Sequence, residues 1–185
     1  MKIIMSPLPL LISLLLLLFL STHSISISPP PPQNLIQKTC STNTYYDLCM
    51  SSLSGDPKSQ DSDVRGLSSI IINLAISNST NTSSYALSLS SNSTNTSMKT
   101  LLRSCSAKYS NASQALRLSM DAIQKNSFDD AFVHVSAAGE YPNVCRVLFR
   151  QQPKLVYPPE MMKREVVLER LCVVALDIIS LLIQY

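Results

Sequence analysis

The chain has 185 residues, 45% of them hydrophobic, and fifteen Lys and Arg against twelve Asp and Glu give a formal net charge of +3. That near balance excludes the polybasic footprint of a nucleic-acid-binding protein. Three glycines, no tryptophan and five cysteines suit one small domain rather than an array of short strands.

Residues 1–26 read as a secretory signal peptide. Lys2 precedes an apolar run from Leu8 to Leu20, and small polar residues follow from Ser21 to Ser26. The run is shorter than the roughly 18 apolar residues a membrane span needs, and Pro9 interrupts it. Cleavage is expected near Ser24 or Ser26. Residues 27–34 then form a linker stiffened by Pro29-Pro30-Pro31-Pro32. Residues 35–185 are the folded domain, long enough for a sizeable core.

Export sets the chemistry of the cysteines. Cys40, Cys49, Cys105, Cys145 and Cys172 enter an oxidising lumen, where thiols pair. Zinc fits poorly, because His134 is the only histidine beyond the leader and no cysteine pair has ligand spacing. Connectivity does not follow from sequence alone. The closeness of Cys40 to Cys49 favours pairing them, which leaves Cys105 to close a longer loop with Cys145. Cys172 lies within the apolar run Leu171-Cys172-Val173-Val174 and reads as a buried free thiol.

The domain is all-α by periodicity. Asp63 is placed to cap a helix with Val64, Leu67, Ile71 and Leu74 on one face. A second stripe runs Met98, Leu101, Cys105, Tyr109, Ala112, Leu116, Ser119, Ile123. A third is Phe128, Phe132, Val135, Ala138, and a fourth Val167, Leu171, Val174, Ile178, Leu181. Breaks are expected at Asp56-Pro57, Asn126-Ser127, Tyr141-Pro142 and Pro158-Pro159. Short connections between amphipathic helices imply an up-and-down bundle. Asp177 interrupts the last apolar run, with Glu169 and Arg170 just before it, so that helix is read as a bundle element and not as a membrane anchor.

The stretch Ser77–Ser97 has the lowest helix propensity, being dense in Ser, Thr and Asn. It is expected to face water, with Tyr85, Leu87 and Leu89 as its core contacts. It carries the glycosylation acceptors Asn78, Asn81, Asn92 and Asn95, and Asn111 is a fifth.

Catalytic chemistry is not visible. A nucleophilic triad would need His134, which sits between two valines in a helical stripe. Asp129-Asp130 lie at a helix start, where carboxylates suit the dipole. No phosphate loop and no metal or cofactor motif is present. The chain is therefore read as a binding protein rather than an enzyme.

Several segments resemble the plant pectin methylesterase and invertase inhibitor family. They are Cys40 and Cys49 with eight residues between, Ser54-Gly55-Asp56-Pro57-Lys58-Ser59, and Asp63-Val64-Arg65-Gly66-Leu67. Cys105-Ser106-Ala107-Lys108-Tyr109, Asp129-Asp130-Ala131, Ser136-Ala137-Ala138, Cys145 and Glu169-Arg170-Leu171-Cys172 follow in the same order. The resemblance implies a four-helix bundle preceded by a disulfide-stapled helical hairpin, disulfides Cys40–Cys49 and Cys105–Cys145, and an unpaired Cys172. It also implies a secreted inhibitor in the apoplast or cell wall, or in the vacuole for an invertase inhibitor. The inhibitor would form a one-to-one complex with pectin methylesterase or acid invertase.

Invertase inhibitors of the family insert a Pro-Lys-Phe loop; the matching positions here are Asn126, Ser127 and Phe128, which keep only the aromatic. Pro153-Lys154-Leu155 has a similar look but follows Cys145, in the wrong loop. Val144-Cys145-Arg146-Val147 departs from the Thr-Cys-x-Asp of many esterase-type members. Tyr141-Pro142-Asn143 and Leu155-Val156-Tyr157-Pro158-Pro159 resemble a pollen-type branch named after invertase inhibition. Loss of Pro-Lys leans the reading to pectin methylesterase. Invertase is the alternative, and a cell-wall or pollen binding protein without inhibitory action is a third.

Overall fold

A computed structural model describes residues 33–183. The expected signal peptide and residues 27–32 of the linker lie outside the described residues, and Gln33 and Asn34 already belong to the first helix. Six α-helices are described: α1 (Gln33–Cys40), α2 (Tyr46–Ser54), α3 (Val64–Asn92), α4 (Thr96–Gln124), α5 (Phe128–Arg150) and α6 (Pro159–Ile183). A 3-10 turn spans Pro57–Asp61. Among the described residues there is no strand, which makes the fold all-α.

The long helices form an up-and-down bundle in which α3 packs on α4 and α6, and α5 on α4 and α6. Leu67, Ile71, Leu116, Leu168 and Ile178 are fully buried between them. Each such side chain contributes about 1.5–3 kcal/mol by leaving water. The start of α3 follows the sequence reading. Asp63 Oδ1 accepts from the Gly66 amide at 2.8 Å, which holds its carboxyl below the usual range. Gly66 is needed for space, because a Cβ there would come within 2.7 Å of the Ser62 side chain.

Helices α1 and α2 make the N-terminal hairpin, and Cys40 is joined to Cys49 across it with Cα atoms 5.7 Å apart. The hairpin docks on α6. The buried Asn43 amide donates to the Val174 carbonyl, the Thr44 amide donates to Asp177 Oδ2 at 2.8 Å, and the Arg170 guanidinium lies over the Tyr45 ring. The charge that breaks the last apolar run thus pins the hairpin.

Three expectations are corrected. Ser77–Ser97 stays helical despite its low propensity, α3 running through it to Asn92, and it faces water on one side only. Its buried residues are Ser79, Thr82, Ala86 and Ser90; Tyr85 and Leu89 pack partly buried against the core as expected, whereas Leu87 is 48% exposed. The hydroxyls are satisfied within the helix and across it. Thr82 Oγ1 donates to the Asn78 carbonyl, Ser83 to the Ser106 carbonyl, and Ser90 to the Lys99 carbonyl. A polar but small seam lets α3 and α4 approach closely, so tertiary packing outweighs weak propensity.

Tyr141-Pro142 is not a break either. Pro142 lies buried inside α5. Proline removes an amide donor and typically costs about 3 kcal/mol in a helix interior. Beyond it, Cys145 is bonded to Cys105 of α4, with Cα atoms 4.9 Å apart, which holds the distal part of α5 in place.

The third correction concerns α6. It starts at Pro159, a proline in the first turn being well tolerated, and its inner face is Met161, Glu165, Leu168, Leu171, Cys172, Ala175 and Ile179 as well as Val174 and Ile178. Val167, expected inside, is 43% exposed, because a carboxylate, Glu165, takes the core position one half-turn earlier.

Candidate protein-docking surface

Two surfaces compete, an end of the bundle and its flank. At the end, the turn between α4 and α5 is short and tied down. Asn126 has φ 57, a left-handed conformation that asparagine tolerates better than most residues. The Ser127 amide donates to the Ala122 carbonyl at 2.9 Å, closing α4. Asn126 Oδ1 accepts from Arg65 Nη1 at 2.8 Å, and Arg65 Nε also donates to Asp63 Oδ2 at 3.2 Å. Phe128 opens α5 and packs, half-buried, against the core. Asp129 and Asp130 are exposed on the first turn. With Leu182 and Ile183 from α6, these residues line a shallow acidic depression. Asn126, Ser127 and Phe128 are thus brought together, but in a turn tied to the start of α3 through Arg65. Pro153 and Lys154 are exposed in the α5–α6 connection, which the up-and-down path places at the opposite end.

The flank offers a different chemistry. On α5, Val133, Ala137, Glu140, Val144 and Val147 recur at spacings of four, three, four and three and are all exposed. Val133 is 63% exposed and Val144 38%. This outward stripe is apolar except for Glu140. Beside it, a groove between α5 and α6 is lined by Ser136, Glu140, Asn143, Arg146, Glu169 and Val173, among others. Arg146 reaches Asn143 Oδ1 at 3.0 Å and Glu169 at 3.8 Å. An apolar stripe edged by fixed polar groups suits a protein partner. The outward faces of α3 and α4 are mostly Ser, Thr, Asn and Gln instead.

Below the groove lies a polar cluster that the periodicity did not reveal. Glu165 is buried, with Arg146 Nε 3.2 Å away. The N–H is not aimed at the oxygen, so neither Arg146 Nε nor the Glu165 carboxylate has a hydrogen-bond partner. Burial raises the Glu165 carboxyl above its ordinary range, against the pull of Tyr157 and Arg146. Burial likewise raises the phenols of Tyr109 and Tyr157. The one signal available in the sequence was Glu165 standing in an apolar helical register. Glu165 and Tyr109 are shut off from solvent, and Arg146 joins them to the groove above. His134 is half-buried on α5. Cys172 is buried and unpaired, and burial pushes its thiol up to about 12, which makes it unreactive. Among the described residues no group of three His, Cys, Asp or Glu is placed to hold a metal. No described helix is long and apolar enough to cross a membrane.

Comparison with known proteins fits this arrangement. The sequence profile described as "Plant invertase/pectin methylesterase inhibitor" matches residues 34–178. The "Cell wall / vacuolar inhibitor of fructosidase 2" of Arabidopsis thaliana is 40% identical over 151 residues, covering 81% of this chain and 84% of that protein. The "Pectinesterase inhibitor 28" of Oryza sativa subsp. japonica is 42% identical over 156 residues, covering 80% and 69%. A crystal structure of a mutant pectin methylesterase inhibitor from Arabidopsis superposes with a TM-score of 0.65 over 78% of this chain and 95% of the other; at 16% identity that likeness concerns the fold. A bundle with a disulfide-stapled hairpin, a family profile over residues 34–178 and relatives at 40–42% identity make this chain a member of the plant invertase/pectin methylesterase inhibitor family, a family of enzyme inhibitors and not of enzymes.

Proposed function

We propose that the protein is a secreted inhibitor of pectin methylesterase, acting in the apoplast or cell wall as a one-to-one complex that covers the target's substrate cleft with the bundle flank. The observation that carries this reading is the sealed α4–α5 turn. Asn126 is bonded to Arg65 and Phe128 lies against the core, so the loop that would enter an invertase site has neither the Pro-Lys pair nor a free ring. A rigid flank with an apolar stripe suits a broad shallow cleft, and such an interface buries about 1,200–2,000 Å² in total. The decisive experiment titrates the secreted protein against a pectin methylesterase and an acid invertase in parallel at acidic pH. Inhibition of the esterase alone supports the proposal; inhibition of the invertase alone overturns it.

Acid invertase is the second reading, in the cell wall or the vacuole. It is favoured by one observation, the 40% identity to a relative named as an inhibitor of fructosidase. Inhibition of neither enzyme, with folded protein and several isoforms, would leave a wall or pollen binding protein.

A further inference from the structure

We propose that the outward α3–α4 face carries N-linked sugar, with Asn81 and Asn111 as its mid-height acceptors. All five Asn-x-Ser/Thr sites of the described residues fall on α3, the α3–α4 turn or α4, and none falls on α5 or α6. Within a helix, residues two apart point to nearly opposite sides. At Asn81 and Asn111 the third residue of the site therefore turns inward, Ser83 half-buried and Ser113 buried, while the asparagine is exposed; at Asn78 the order is reversed, with Thr80 exposed. Both of these hydroxyls have structural employment: Ser113 meets the exposed Thr80 across the seam at 3.0 Å, and Ser83 meets Ser106 at 2.9 Å. The outward asparagines do not. Asn111 is exposed and engages no hydrogen-bond partner among the described residues, and Asn81 makes only a 3.5 Å contact to Ser77.

Asparagine ranks well below alanine in a helix interior, by up to about 0.7 kcal/mol. Both are exposed in mid-helix, and the long Ser77 contact of Asn81 is a weak reason to keep an asparagine there. A sugar acceptor supplies the reason. Asn81 and Asn111 flank the Thr80–Ser113 contact from adjacent helices, so both sugars would emerge at one level of the bundle. Other acceptors have competing explanations. Asn95 caps α4 by accepting from the Met98 amide. Asn78 is half-buried, its Oδ1 enclosed without a partner, and three residues from Asn81 it competes for the same surface.

The modification is made on the nascent chain in the secretory lumen, so it rests on the export expected of residues 1–26. There Asn Nδ2 bonds to the anomeric carbon of a lipid-pyrophosphoryl oligosaccharide, the lipid pyrophosphate leaves, and the amide loses one proton. The full chain is expressed in plant cells and only protein from the medium is taken. Digestion and release of sugar with peptide-N-glycosidase A in heavy-oxygen water should convert Asn81 and Asn111 to labelled Asp. The secreted Asn81→Gln/Asn111→Gln variant should migrate faster than wild type. Medium protein unlabelled at both positions, including protein labelled only at Asn92 or Asn95, overturns the proposal. So does failure of the chain to reach the medium. In bacterial, sugar-free material, Asn111→Gln should melt as wild type, whereas Ser113→Ala should melt lower; a loss of stability in Asn111→Gln would give that asparagine a structural role and also overturn it.

Discussion

Arg146 on α5 places Nε 3.2 Å from the carboxylate of Glu165 on α6, and Glu165 is 1% exposed. Around that carboxylate stand Tyr109 from α4, Tyr157 from the α5–α6 connection and Glu169 one turn along α6. Burial raises Glu165, so the folded protein keeps this proton to a higher pH than the unfolded chain does. The folded state then binds more protons, and stability falls as pH rises. The contribution is intact below the ordinary carboxylate range. It is lost as pH climbs through the raised folded value and is level above it. Thermal melts between about pH 4.5 and 7.5 should show a lower Tm at the neutral end, and Glu165→Gln should reduce the slope. A wild-type profile that rises toward neutrality would contradict this account.

The two disulfides should differ in weight. Cys105–Cys145 closes 40 residues and Cys40–Cys49 only 9. Loop-closure entropy gives about 4 kcal/mol for the first and about 2.5 kcal/mol for the second. Chemical denaturation of paired Cys→Ser variants should rank them in that order. Cys172, with its thiol pushed up to about 12, should resist iodoacetamide in the folded protein and react in denaturant. Rapid labelling of native protein would show that the thiol is accessible.

Most of the bundle could be read from residue periodicity, because the α4 stripe from Cys105 to Ile123 is both apolar and inward. Failures came where side-chain type and burial part company. Ser79 and Thr82 are buried because their hydroxyls bond carbonyls four residues back in the same helix, and Ser90 because its hydroxyl bonds the Lys99 carbonyl of the next helix, a partner that propensity cannot foresee. Pro142 reads as a stop in any local window, yet a disulfide 40 residues long in sequence overrides it. Glu165 hid the register of α6 because a charged residue is expected outside. At the α4–α5 turn the sequence places the break at Asn126-Ser127 and the head of the next helix at Phe128, where the structure has them. That Asn126 is held by Arg65, 61 residues earlier, is a tertiary fact with no local trace.

Phe128 separates the two inhibition modes. Its ring is partly buried against the core, so Phe128→Ala should cost about 2–3 kcal/mol, at or below the lower end for a core phenylalanine. Inhibition of pectin methylesterase, measured well below the melting temperature, should be unchanged. Loss of invertase inhibition without a stability change would mean that the ring is a plug and not a core residue. Asn126→Ala should cost about 1–2 kcal/mol, since alanine suits the left-handed backbone poorly and the Arg65 bond is lost.

The last expectation concerns the α5 stripe. Val133 and Val144 are exposed, so neither contributes much to the core, and arginine is the better helix former. Val133→Arg and Val144→Arg should therefore leave the melting temperature unchanged. On the flank reading they would place a charge inside an apolar contact, where desolvation without a partner is unfavourable. The inhibition constant should rise about tenfold or more, equivalent to at least about 1.4 kcal/mol. Arg117→Glu on the exposed side of α4 provides the control, with little change expected. Equal inhibition by all three variants would move the contact off α5. A drop in melting temperature for Val144→Arg, which neighbours the Cys145 disulfide, would instead mark that valine as packed, and Val133→Arg, twelve residues from Cys145, then decides the matter.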